Sequence, residues 1–226
     1  LAQQAFDGGY KISSVTDGKG GEIDHLIVDT MMRVDLAKPL PPGKSTQLAI
    51  EYSYNIVDAK VIRARGGYEF FEDDKNYIYE IAQWFPRMAA YTDYTGWQHH
   101  QFLGSGEFTL ELGDYDVSIE VPADMVVAST GTLKNTDDVL KPEWKTRLAK
   151  MKKGEDLEFI VTPEEAKENE KSKSKERATW NFTAKNVRDF AFAASRKFIW
   201  DAMPVTVGDK TVLAMSYYPN EAEPLW

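Results

Sequence analysis

Short runs in which apolar and polar residues alternate, cut off by glycine, proline or aspartate, recur along most of this 226-residue chain and restrict it to a β architecture. In Gln47–Tyr54, the residues Leu48, Ile50, Tyr52 and Tyr54 fall on one side, as in a strand with one wet face. Tyr115–Val121 and Phe108–Leu112 alternate the same way, and Gly113-Asp114 between them predicts a hairpin. Further strands are expected at Tyr10–Ile12, His25–Val28, Met31–Leu36, Tyr77–Ile81, Val126–Leu133, Thr179–Thr183, Phe190–Ala193 and Val212–Met215. Asp17-Gly18, inside the turn cluster Thr16–Gly21, is a second hairpin signal.

The middle of the chain differs in kind. Trp144, Leu148 and Met151 stand at helical spacing after Pro142, with Gly154 placed as a C-cap. Thr162-Pro163-Glu164-Glu165 combines an N-cap, a first-turn proline and acids, so a second short helix starts there. The charged run Glu164–Arg177 reads as a solvated excursion between strands. No fixed-period repeat occurs, which argues against solenoids and propellers.

Composition narrows the function classes. With 27 Lys+Arg against 36 Asp+Glu, the net charge of −9 offers no basic footprint for nucleic acid or anionic lipid. No run of about 18 apolar residues exists to span a bilayer. Cysteine is absent, which removes disulfides, thiolate metal sites and cysteine nucleophiles together. The first residues show no signal-peptide pattern and do not begin with Met, which reads as a cut or a processed start, and the last stretch, Tyr218 to Trp226, has no evident partner strand and reads as a cut at a domain boundary.

Catalytic constellations can be tested residue by residue. Of the three histidines, His99 and His100 are adjacent, so on a strand they point to opposite faces, and His25 is a strand-end residue. No H-E-x-x-H, G-x-S-x-G or G-x-x-x-x-G-K-[ST] motif is present. Glu107, Glu111, Asp116 and Glu120 could line a sugar cleft, but alternation makes such rows on the wet face of any antiparallel pair. Asn181-Phe182-Thr183 is a sequon inside an expected strand.

The densest stretch runs from Tyr79 to Phe108 and carries Trp84, Phe85, Tyr91, Tyr94, Trp97, Phe102 and Phe108 with two of the histidines and a Gly104–Gly106 turn. Such aromatic density marks a core centre or a wall built to receive something. Within it, Gln83-Trp84-Phe85-Pro86 sets an amide after a strand-like run and a proline that stops it.

Ile81–Asp93 (IAQWFPRMAAYTD), Gly104–Phe108 (GSGEF), Gly113–Pro122 (GDYDVSIEVP) and Ala128–Gly131 (ASTG), in that order, resemble the N-terminal domain of zinc aminopeptidases of the aminopeptidase N and leukotriene hydrolase family. Asn186–Ala193 and Phe198–Ala202 resemble the closing strands of that domain in a bacterial branch. The resemblance implies an all-β, mostly antiparallel, saddle-shaped and sandwich-like domain over residues 1–217, with one or two short helices around 142–170, and residues 218–226 leading into a catalytic domain outside this chain. It implies a non-catalytic piece of an exopeptidase, whose zinc is held by the other domain and whose partners are a peptide substrate and that domain. No catalytic or metal residue is expected here, and the fragment alone is expected to be inactive. In the family, a glutamine, any residue, then glutamate or glutamine help hold the substrate's N-terminal end. Gln83 matches the first position and Phe85 stands in the third, where it would offer an apolar wall. Gln83, Trp84 and Phe85 are thus the candidate substrate-binding residues, with an amide bridging strands at Gln83 and a core role for Trp84 and Phe85 as the structural alternatives. A stand-alone β-sandwich module for carbohydrate or protein, with Tyr91, Tyr94 and Trp97 as its platform, is the alternative; a structural domain that only docks a neighbour is another.

Overall fold

The computed structural model describes residues 6–62, 64, 66–102, 109–153 and 156–225. In chain order the strands are β1 (Lys11–Asp17), β2 (His25–Val28), β3 (Met31–Val34), β4 (Leu48–Ser53), β5 (Gly67–Phe71), β6 (Asn76–Ile81), β7 (Tyr91–Thr92), β8 (Gly96–Trp97), β9 (Gly113–Pro122), β10 (Val126–Ser129) and β11 (Thr132–Leu133). Helices α1 (Thr136–Val139) and α2 (Pro142–Met151) follow. Then come β12 (Glu158–Val161), α3 (Pro163–Lys171), β13 (Arg177–Val187), β14 (Phe192–Ser195), β15 (Ile199–Val207), β16 (Lys210–Tyr218) and a 3-10 turn at Asn220–Ala222. The strand pairings of the named strands are antiparallel, so the all-β expectation holds.

The chain forms two compact units, one of residues 1–57 and 85–111, the other of 58–84 and 112–226. In the first unit β1 pairs with β4, while β2–β3 and β7–β8 are separate hairpins. Val15 and Ala90 are its buried apolar residues among those described. The Asp17-Gly18 turn forms, with Gly20 N donating to Asp17 O at 3.0 Å, yet β1's ladder partner is the distant β4 and only a Thr16–Glu22 bridge follows the turn.

The second unit holds three sheets, ordered β10-β14-β6-β5, β11-β13-β9 and β12-β15-β16. Val126, Val127, Ile160, Val161, Trp180, Phe190, Ile199 and Trp200 are almost solvent-free, and burial of this kind is the main favourable term in folding. Helix α2 buries Trp144, Leu148 and Met151, the stripe its spacing predicts; the expected cap at Gly154 lies outside the described residues. Helix α3 starts in the predicted capping box: Glu165 N donates to Thr162 Oγ1 at 3.2 Å, and Thr162 N donates to the Glu165 carboxylate at 2.9 Å.

Two expectations are corrected. Residues 109–112 are not strand, and Phe108, Glu107 and the Gly104–Gly106 turn lie outside the described residues. Gly113-Asp114 opens β9 rather than turning a hairpin, and β9 pairs with β13, from Arg177↔Pro122 to Val187↔Gly113 across a bulge. Alternation specifies which face of a strand is wet but not which strand lies beside it. Asp116 and Glu120 do fall on that wet face. The expected strand Val126–Leu133 is split at Gly131, whose φ of +88° turns the chain between β10 and β11.

Candidate functional site

The site is built at one end of the sheet β10-β14-β6-β5. The last ladder pair of β6 and β14 is Ile81↔Phe192, and Ser129 of β10 faces Phe192 from the other side. Beyond Ile81 the chain leaves the sheet through Ala82 and reaches Gln83, which is exposed and held at φ +51°. An L-residue other than glycine, asparagine or aspartate is uncommon in this left-handed region, and such residues gather at functional sites.

Trp84 is fixed from two directions. Its Nε1 donates to Phe190 O at 2.9 Å, and its ring meets the Phe192 ring edge-to-face with centroids 5.6 Å apart. The loop opposite is tied down as well: Thr130 N donates to Ala191 O at 3.0 Å, and Ala191 N donates to Thr130 Oγ1 at 3.2 Å. Glu80, Ile81, Ala82, Ser129, Ala191 and Phe192 line a shallow hollow of about 300 Å³ beside this corner. Its walls are mostly apolar, and Gln83 follows the lining residue Ala82 in the chain. Phe85, part of the first unit, is half-buried with the Arg87 guanidinium 5.6 Å from its ring centroid.

Among the described residues, none of the three histidines belongs to a group placed to hold a metal ion. His25 Nδ1 lies 3.1 Å from Ile23 O and His99 Nδ1 lies 2.8 Å from Trp97 O, while the His99 and His100 rings lie parallel with centroids 6.2 Å apart. Among the described residues, Asp74, Glu170 and Glu221 are grouped closely enough to hold a metal ion. The Lys197 ammonium sits among them, 3.1 Å from Glu170 and 2.8 Å from Glu221 and also bonded to Asp74. These donors do not fit a zinc ion: the set is all carboxylate, already occupied by an ammonium bonded to all three, and without histidine. Sequence reading missed this cluster because its members are scattered over residues 74 to 221 and no spacing links them.

Tyr91 and Trp97, cross-strand partners in β7–β8, meet edge-to-face with centroids 5.2 Å apart, and Tyr94 stands at the hairpin tip. They are 61%, 53% and 81% exposed, which sets them outside the core reading.

No family model and no curated protein matches the sequence. Solved structures do. The M1 zinc metallopeptidase from Deinococcus radiodurans matches with a TM-score of 0.50 and 14% identity over 94% of this chain and 38% of that one. A point mutant of the same enzyme matches with a TM-score of 0.51, and that mutant bound to a Tyr-Ser-Ala substrate with 0.50, at the same identity and coverage. The chain spans 38% of the length of the structures it matches. At this identity the likeness is one of fold, and the fold of this chain is that of a part of the M1 zinc metallopeptidases.

Proposed function

We propose that this chain is the non-catalytic N-terminal domain of a zinc aminopeptidase, and that it caps one side of the active-site cleft and presents Gln83 to the substrate's first residue. The observation that carries the reading is the conformation of Gln83, an exposed amide held left-handed two residues after the end of β6. Its carbonyl oxygen can accept from a free ammonium and its NH2 can donate to a substrate carbonyl, without the affinity for zinc of a carboxylate or imidazole. Trp84, anchored to Phe190, holds the turn, and Phe85 supplies the apolar third position of the motif. The parent reaction is zinc-assisted attack of water on the first peptide bond, with zinc and general base contributed by another domain. The fit of this fold to a metallopeptidase with a bound tripeptide substrate supports the reading.

The test has two stages. The 226-residue chain, assayed with an aminoacyl chromogenic amide and by metal analysis, is expected to show no turnover and no stoichiometric zinc. In the complete gene product, H-E-x-x-H should follow this domain, and Gln83→Ala should raise KM for peptides about ten-fold, as loss of a hydrogen bond to a charged group implies. A stop codon at the end of this chain, or an unchanged KM, would overturn the proposal.

The exposure of Tyr91, Tyr94 and Trp97 favours a second reading, a carbohydrate- or protein-binding module. It requires glycan or protein binding that Tyr94→Ala and Trp97→Ala abolish and Gln83→Ala leaves intact.

A further inference from the structure

Lys197 is a rare object, an ammonium on a residue with no solvent exposure. Burying such a charge is costly unless every N–H finds an acceptor. Here the three N–H groups meet three carboxylates from three elements: Asp74 in the turn between β5 and β6, Glu170 on α3, and Glu221 in the 3-10 turn after β16. The ammonium also lies 4.6 Å from the centroid of the Phe71 ring. A second cation closes the cluster: Lys173 Nζ donates to the Asn76 side-chain oxygen at 2.5 Å and to Glu170 O at 2.9 Å. Asn76, itself buried, donates to Glu170 O at 3.0 Å, so the α3 side is held twice.

The three carboxylates are not equivalent. Asp74 and Glu170 side chains are 25% and 15% exposed, whereas that of Glu221 is 50% exposed and belongs to the segment that follows the last strand. Among the described residues, the segment's side-chain hydrogen bond to the body, Asn220 Nδ2 to Pro163 O, is a long 3.4 Å. We propose that Lys197 is a latch: it welds the β5–β6 turn to α3 permanently and clasps residues 219–225 to the body through Glu221, so that one ion pair decides whether the segment after β16 is docked or loose. The latch is independent of the substrate role of Gln83.

Amide hydrogen exchange tests it, because Ala222, Glu223 and Leu225 donate backbone hydrogen bonds within the segment, to Pro219, Asn220 and Ala222. In the 226-residue chain, Glu221→Ala should speed exchange at these amides about ten-fold, the size expected for a partly exposed charge-assisted bond, and Glu221→Lys more so. Exchange in β9 and β13 should not change, which shows that the fold is intact. Glu168→Ala, which removes only the exposed partner of Lys171, should leave the segment as it is. Unchanged exchange at Ala222, Glu223 and Leu225 in both Glu221 variants, or exchange there already as fast as in an unstructured peptide in the parent chain, would overturn the latch.

Discussion

The indole Nε1 of Trp84 donates a 2.9 Å hydrogen bond to the carbonyl oxygen of Phe190, a residue 106 positions further along the chain. The bond fastens the turn that carries Gln83 to the strand entry of β14, and it should be measurable. Trp84→Phe keeps a ring against Phe192 but leaves the carbonyl without this donor, at an expected cost of about 1 kcal/mol. Trp84→Ala also removes the packed ring, for roughly 3 kcal/mol. Urea unfolding should show both as shifts in midpoint at unchanged m-value.

Gly131 admits no side chain. Its φ is +88°, and a Cβ built there would lie 2.4 Å from Thr183 O, a backbone atom of the neighbouring strand. Gly131→Ala should therefore destabilise the chain by about 3 kcal/mol, combining left-handed strain with displacement of β13. A variant that melts within a degree or two of the parent would contradict this geometry.

Acid should unfold the protein through particular carboxyls. For Asp74, Asp124 and Glu165, burial is the largest single influence and raises the pKa. Hydrogen bonds and charge from Lys197, Arg196 and Arg147, with backbone N–H donors, together outweigh it and hold each below its ordinary value of 3.8 or 4.5. A carboxyl with a depressed folded pKa adds stability that is present above the unfolded value and lost as pH falls through the folded one. The unfolding free energy should be level from about pH 7 to pH 5.5 and drop below about pH 4.5. Asp124→Asn, which breaks the 2.8 Å pair with Arg196, should lower the plateau and flatten the acid limb.

Alkali should act at the other end of the chain. Burial first, then the 2.9 Å hydrogen bond to Asp201, pushes the Tyr218 hydroxyl up to about 12 from its ordinary 10.0. Burial raises Tyr217 further still. A raised folded pKa gives stability that is complete below the unfolded value and lost as pH rises through the folded one, so unfolding should set in above about pH 10. Burial raises Tyr52, Tyr54 and Tyr79 as well, so spectrophotometric titration should show these ionising late and Tyr218 and Tyr217 last; a single transition of all tyrosines near pH 10 in the folded state would rule this out.

The sequence by itself determined the local elements and their wet and dry faces. The stripe Trp144, Leu148 and Met151 and the Thr162–Glu165 box are helix chemistry among near neighbours, and the alternation in Gln47–Tyr54 and Tyr115–Val121 fixes strand faces through the pleat alone. Gln83 was singled out by the strand, amide and proline that follow one another, and its candidate role came from the family resemblance. Only the tertiary structure decided the partners. β9 lies beside β13 and not beside the residues before it, because a strand's wet and dry faces fit many partners and burial across the whole unit selects one. The same selection brings Ile81–Trp84, Ala128–Gly131 and Phe190–Phe192 to one corner and seats Lys197 among Asp74, Glu170 and Glu221. Contacts between residues about a hundred positions apart leave no periodic trace, because they arise from the packing of completed elements and not from the geometry of any one of them.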